Sequence, residues 1–211
     1  KVSAMDYIDE IDEDARSIGA VNTIINRDGR LVGRNTDGTG AVRALSEKVD
    51  ISGKDVVVVG AGGAARAIGY GILKHGGRLT IVNRTKEKAD ALAGELGSRS
   101  SPFQQLADLP CDILINTTSV GMHPGIDEMP VSERVLKAGM VVMDIVYNPV
   151  RTRLLRAAEA KGCAVIDGVA MFVYQGAEQF ALWTGKEAPV EVMRRAVYDH
   201  LTAREAGSAH A

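Results

Sequence analysis

The run VVVVGAGGAARA, residues 56–67, sets Gly60, Gly62 and Ala65 in a G-x-G-x-x-A spacing. Each small residue has a task if a dinucleotide lies there. Gly60 allows a tight turn, Gly62 lets the backbone approach a pyrophosphate, and Ala65 lets a helix pack close to a strand. Ala61, Gly63 and Ala64 complete the turn, whose unpartnered helix N–H groups would face the phosphates. A glycine-rich turn without a ligand is the other reading. Here the motif follows a four-valine strand and opens a helix, the context that makes it a phosphate site.

The next strand, RLTIVN, decides which nucleotide. A site that reads NAD ends this strand in an acid for the ribose 2′-hydroxyl. Here it ends in Asn83-Arg84-Thr85, with Lys86 and Lys88 close behind. A guanidinium at Arg84 matches a 2′-phosphate, and Thr85 adds a hydroxyl while capping the following helix. Cations at a helix start oppose its dipole, so a bound anion explains them better than surface decoration does. NADP(H) is the expected cofactor. Residues 116–119, in INTTSVGM, follow a third strand and either border the same cleft, since ligands in such sheets sit outside the carboxyl ends of the strands, or form only a polar turn.

Asp37, in GRNTDGTG at residues 33–40, is a carboxylate well before the phosphate loop. It stands between a strand and a helix, so it could be a helix N-cap, and local sequence alone favours that role. Catalysis would need partners. The two cysteines, Cys111 and Cys163, lack metal spacing and read as small apolar residues of a reduced compartment. The four histidines are scattered, so no metal is expected.

These residues need elements to hold them. DVVVVG, RLTIVN, CDILIN, GMVVMDIV and CAVID are strands, and helices over residues 64–75, 85–96 and 151–162 alternate with them. Such alternation gives an α/β fold with a doubly wound parallel sheet. SRSSPFQQLADLP holds a weak strand and a short helix. At the front, residues 5–18 place Met5, Ile8, Ile11, Ala15 and Ile18 on one face of a single helix stopped by Gly19. AVNTIIN and RLVGRN make a hairpin around Arg27-Asp28-Gly29. The C-terminal fifth is helical, with a frayed tail over residues 206–211.

The runs GAVNT, NTDGTG, VVVVGAGGAARA, NRT, INTTSVGM, DIVYNP and DGVAMFVYQGAEQFALWTG together resemble the shikimate dehydrogenase family, in the family's order and over nearly the whole chain. The resemblance implies a Rossmann-like NADP-binding domain beside a substrate domain, and NADPH-dependent reduction of 3-dehydroshikimate to shikimate in aromatic amino-acid biosynthesis. It places Asp37 on the catalytic aspartate and Lys1 on the catalytic lysine. It places Asn22, Gln175 and Asp37 on substrate, with Tyr147 near the cleft. Asn83, Arg84, Thr85 and Lys88 fall on the cofactor site; Thr117, Ser119, Ile145, Gly168 and Met171 fall near the nicotinamide half. Lys1 would supply the proton, and Asp37 would orient it and hold a substrate hydroxyl.

Four regions follow from that resemblance: residues 1–36 as the end of a substrate domain, 37–170 as the NADP-binding domain, 171–205 as helices returning to the substrate side, and 206–211 as tail. The family carries further sequence before its lysine, including a serine-rich substrate motif, so the chain reads as a fragment. The expectation is cofactor binding with little or no shikimate oxidation, disorder or self-association around residues 1–36, and an apolar face at Val21, Ile24 and Leu31 that is exposed unless another chain or the C-terminal helices cover it. The rivals are a quinate/shikimate enzyme with relaxed cofactor use, glutamyl-tRNA reductase, and a non-catalytic NADP(H)-binding module.

The net charge of −2 over 211 residues, with 45% hydrophobic and 25% charged content, gives no basic surface for nucleic acid. No apolar run is long enough to span a bilayer. The expected partner is a small molecule in the cytoplasm.

Overall fold

A strand of four consecutive valines is stable only where both its faces are covered. The computed structural model, which describes the backbone of residues 3–208 and the side chains of residues 5–203, covers them. Val56 and Val58 turn into one apolar cluster and Val57 and Val59 into another, all four at 3% exposure or less.

The front of the chain forms β1 (Glu10–Ile11), α1 (Glu13–Ile18), β2 (Thr23–Arg27), β3 (Arg30–Arg34) and α2 (Asp37–Ser46). The nucleotide-type sheet follows as β4 (Asp55–Val59), α3 (Gly63–Lys74), β5 (Arg78–Asn83), α4 (Lys86–Leu96), β6 (Arg99–Pro102), β7 (Ile113–Asn116), β8 (Val141–Asp144), α5 (Arg153–Ala160) and β9 (Ala164–Ile166). Two long helices close the chain, α6 (Gly168–Thr184) and α7 (Val190–Ser208).

The six-stranded sheet runs in the order β6-β5-β4-β7-β8-β9 and is parallel throughout. Counted from β4, that is the 3-2-1-4-5-6 order of a dinucleotide-binding sheet, with its switch point between β4 and β7. The fold class is as the sequence pattern predicts. Residues 99–108 hold a short strand and a short 3₁₀ helix, Phe103–Asp108, again as expected. The crossover from β7 to β8 carries only a turn of 3₁₀ helix at Glu133–Val135, so a long loop skirts the carboxyl edge.

The front differs from its reading as one helix. Asp12 interrupts it: its side chain accepts from the Ala15 N–H at 2.8 Å, capping α1 and forcing extended backbone before it. The freed residues split into a 3₁₀ turn, Ser3–Tyr7, and β1, which pairs parallel to β3. The hairpin turns at Asp28 and Gly29, both at positive φ, as an Asp-Gly turn requires. Its apolar face is not uniformly open. Val21 is 3% exposed because it and Ile8 close over Gly33, which has no side chain to obstruct them; Leu31 is half-buried and Ile24 stays 43% exposed.

Docking of the front onto the sheet uses Ile18 and Ala20 against Ala67 and Tyr70. A polar contact reinforces it: Asp14 accepts from the Tyr70 hydroxyl at 2.8 Å and from Lys74 at 2.7 Å. At the other end α7 runs on to Ser208, past the start of the expected frayed tail, because Ala203, Arg204, Glu205 and Ala206 are good helix formers. Residues 209–211 and Lys1 lie outside the described residues.

Candidate active site

The glycine turn after β4 is built as its spacing demands. Gly60 has φ 120°, and a side chain there would run into the Thr117 hydroxyl. That hydroxyl donates to the Val59 carbonyl at 2.8 Å, so Thr117 holds the turn in place from β7. Gly62 caps α3 without a side-chain bond, and a Cβ added at Gly62 or Gly63 would meet nothing within 4 Å. The helix therefore opens onto free space with bare N–H groups and no acid in its first turn, a cradle suited to phosphate. Ala65 is fully buried, which permits the close helix–strand approach.

Beside this cradle, a cleft of about 470 Å³ is lined by Val59, Asn83, Arg84 and Thr118 on one side and by residues 127–133 of the β7–β8 loop on the other. Arg84 is exposed and has no ion pair among the described residues. Lys86 differs: its ammonium is held by Asp90 at 2.7 Å. Thr85 occupies the N-cap position of α4, yet its side chain makes no capping bond, which corrects the expected cap. The Asn83 side-chain amide donates to the Thr85 carbonyl at 2.9 Å. Lys88 is exposed on the first turn of α4. The residues present fit a nucleotide with a 2′-phosphate: an available guanidinium, no competing acid on β5, and open glycines at the helix start.

A second cavity of about 380 Å³ is bordered by the glycine turn at Ala64, by the start of α2, by the turn after β8 and by α6. Asn22, Asp37, Tyr147 and Gln175 line it together. So do Ala64, Ile145, Gly168 and Met171. Thr117 and Ser119 line neither cavity, although Thr118 between them lines the first.

Asp37 is not the N-cap of α2; Thr36 takes that position, without a side-chain bond. Asp37 is the first helical residue, 7% exposed, with its carboxylate turned to Asn22, whose Nδ2 donates to Oδ1 at 2.8 Å. The Asn22 side-chain oxygen accepts from the Thr36 N–H at 2.9 Å and from the Thr23 hydroxyl at 2.8 Å. Its amide orientation is thus fixed by partners on both sides. Gln179 extends the chain by donating to Thr23 at 3.1 Å, and it too lines the cavity. Local sequence offers no sign of this, because Gln179 and Thr23 lie on separate elements.

Two glycines make the arrangement possible. A Cβ on Gly38 would stand 2.6 Å from the Ala67 carbonyl oxygen, and one on Gly40 would stand 2.8 Å from the Gln175 nitrogen. They let α2 wedge between α3 and α6, carrying Asp37 to Gln175. Gly168 does the same for α6, whose first residue presses on the carbonyls of Ile145 and Val146.

A family model described as Shikimate / quinate 5-dehydrogenase matches residues 43–153, and one for the Shikimate 5′-dehydrogenase C-terminal domain matches residues 168–198. The shikimate dehydrogenase (NADP(+)) of Geobacillus kaustophilus is 48% identical over 209 residues, covering 95% of this chain and 76% of its own length. The chain belongs to the shikimate dehydrogenase family. Members of the family are oxidoreductases, and the resemblance read from the motifs is confirmed. A crystal structure of a shikimate dehydrogenase in complex with NADP+ superposes with a TM-score of 0.92 at 44% identity, covering 95% of this chain and 74% of its own. The Thermus thermophilus enzyme, solved with NADP(H) and shikimate, superposes at 0.88 with 36% identity, covering 94% of this chain and 75% of its own.

Cysteine chemistry of the kind glutamyl-tRNA reductase would need has no support here. Burial pushes the Cys111 thiol up to about 12, and Cys163 is raised for the same reason. No group of three or more His, Cys, Asp or Glu able to hold a metal occurs among the described residues. Nor is any helix among them long and apolar enough to cross a membrane.

Proposed function

We propose that the protein reduces 3-dehydroshikimate to shikimate with NADPH, in the cytoplasm and as a step of aromatic amino-acid biosynthesis. The observation that carries this reading is the shared cavity. Asn22, Asp37, Tyr147 and Gln175 meet three residues read as nicotinamide-side there, Ile145, Gly168 and Met171, together with Ala64 of the glycine turn. Two unpaired cysteines agree with a reduced compartment.

The cofactor supplies a hydride when bound, and the protein supplies alignment and proton management. Gly62, Gly63 and Ala64 would hold the pyrophosphate, and Arg84, with Thr85 and Lys88 beside it, the 2′-phosphate. Ile145, Gly168 and Met171 would border the nicotinamide, on the side where Tyr147 stacks near Phe172 at 5.1 Å between ring centroids. Asn22 and Gln175 would bind substrate hydroxyls. Asp37, held by Asn22, would accept a bond from a substrate hydroxyl and orient the proton donor. That donor is assigned to Lys1 on the family resemblance alone. In the reductive direction the ring carbonyl gains a hydride at carbon and a proton at oxygen, and the same pair serves oxidation in reverse. The halves divide as substrate side (residues 1–36 and 171–205) and cofactor side (residues 37–170).

Asp37→Asn tests this assignment. The variant keeps shape and loses charge, so kcat should fall by about 10²–10⁴ while NADP+ affinity stays within about two-fold. A near-normal kcat would return Asp37 to a purely structural position at the start of α2.

A further inference from the structure

A second carboxylate near the site takes part in neither cavity. Asp144, the last residue of β8, is fully buried. We propose that Asp144 is a positioning residue for the cofactor cleft, its carboxylate clasping together the turn after β7 (residues 116–121) and the turn after β8 (residues 145–152). The inference rests on the NADP(H) reading above for its functional consequence, though not for its geometry.

Three donors from three places converge on the carboxylate. Asn116 Nδ2, from the end of β7, donates to Oδ1 at 2.9 Å, and the Val146 N–H donates to the same oxygen at 3.1 Å. The Thr152 hydroxyl donates to Oδ2 at 2.7 Å. Asn116 and Thr152 are each 1% exposed. Each passes the restraint on. Asn116 Oδ1 accepts from the Thr118 N–H at 3.1 Å and from its hydroxyl at 2.7 Å, which shapes the turn that Thr118 and Val120 present to the first cleft. The Thr152 oxygen accepts from the Leu155 N–H at 3.3 Å and so caps α5. Between Val146 and Thr152 the chain must pass Tyr147, which lines the second cavity. A backbone bond from His123 N–H to the Asn148 carbonyl, at 3.0 Å, joins the two turns again.

Why a carboxylate should stand there follows from counting bonds. An asparagine would offer one acceptor oxygen and place an NH₂ group against a donor. An apolar residue would take the acceptor from the Thr152 hydroxyl and the Val146 N–H and leave Asn116 Nδ2 only the Val120 carbonyl at 3.5 Å. Only a carboxylate accepts all three, although burying one is costly and an apolar core would serve folding as well. Burial does push its carboxyl up to about 6. A group retained at such a cost, and aimed only at two ligand-lining turns, matches the sub-ångström support that a binding site needs from the residues behind it.

Thr152→Val tests the clasp, with Thr152→Ser as the conservative rescue. Valine keeps the volume and removes both the donor to Asp144 and the acceptor that caps α5, a cap that Asp144→Asn leaves in place. NADP+ titrations on the 211-residue chain should show about ten-fold weaker binding for Thr152→Val and near wild-type binding for Thr152→Ser. Amide exchange should quicken by roughly the same factor at residues 117–121 and 145–151, with β4 and β7 unchanged. Asp144→Asn should give the same exchange pattern and covers the case in which Thr152→Val does not fold. Unchanged exchange in both turns, or a Thr152→Ser variant as loose as Thr152→Val, would overturn the clasp. A wild-type chain that fails to bind NADP+ would strike the cofactor reading alone, and the exchange pattern would still decide the clasp.

Discussion

We propose that Arg84 sets cofactor choice with a single side chain. Its guanidinium has no carboxylate partner among the described residues, and β5 ends in Asn83 rather than in an acid. A charge-assisted bond of this kind contributes about 1.5–3 kcal/mol. Arg84→Ala should therefore weaken NADP(H) by a factor on the order of ten to a hundred and leave NAD(H) nearly unchanged. Equal losses for the two cofactors would remove the phosphate-reading role. Asp144 gives a different signature. An ordinary aspartate releases its proton near 3.8, and this one near 6, because burial disfavours its charge. Between those values the folded chain holds a proton that the unfolded chain has lost. Stability from this group thus falls as pH rises through that window and levels off above it, by on the order of 3 kcal/mol in all. Asp144→Asn should flatten that slope in melting temperatures followed from about pH 4 to about pH 8. Parallel curves for the two proteins would mean that the carboxylate titrates normally. Neither the burial of Asp144 nor its two side-chain donors is visible in DIVYNP, since those donors come from residues 116 and 152.

At the scale of elements, the parallel sheet is legible because continuous apolar strands, glycine stops and a phosphate turn all follow local rules. The front is less legible. Residues 5–18 carry a helical apolar period, yet Asp12 caps a shorter helix and β3 recruits the residues before it as a strand. The period could not reveal a pairing partner that lies beyond the next helix and strand. The helix α2 shows a similar limit. NTDGTG reads as a helix start, but what Gly38 and Gly40 are for depends on α3 and α6. Gly40→Ala would gain about 1 kcal/mol of helix propensity. It would also drive a Cβ to within 2.8 Å of the Gln175 backbone, and overpacking of that kind costs about 1–3 kcal/mol. The clash should win. The melting temperature should drop by roughly 2–8 °C, and the KM for shikimate should rise more than that for NADP+ as Gln175 is displaced. An unchanged melting temperature would mean that α2 and α6 separate freely.

Over the whole molecule, four residues read as substrate ligands come from three distant stretches of chain and meet in one cavity with three residues read as bordering the nicotinamide. No local pattern predicts that meeting; the family's order of motifs does. The Arg84 cleft and the Asp37 cavity both border the glycine turn, through Val59 and Ala64, so one extended ligand could reach both. The central claim is that this edge of the sheet moves a hydride between NADP(H) and the shikimate ring. Its most direct measurement is absorbance of reduced nicotinamide after the 211-residue chain is incubated with shikimate and NADP+, at protein concentrations comparable to cofactor so that slow turnover registers. The account predicts that NADPH accumulates only when both ligands are present, and that Asp37→Asn suppresses it while still binding NADP+. A chain that binds both ligands and forms no NADPH would contradict it.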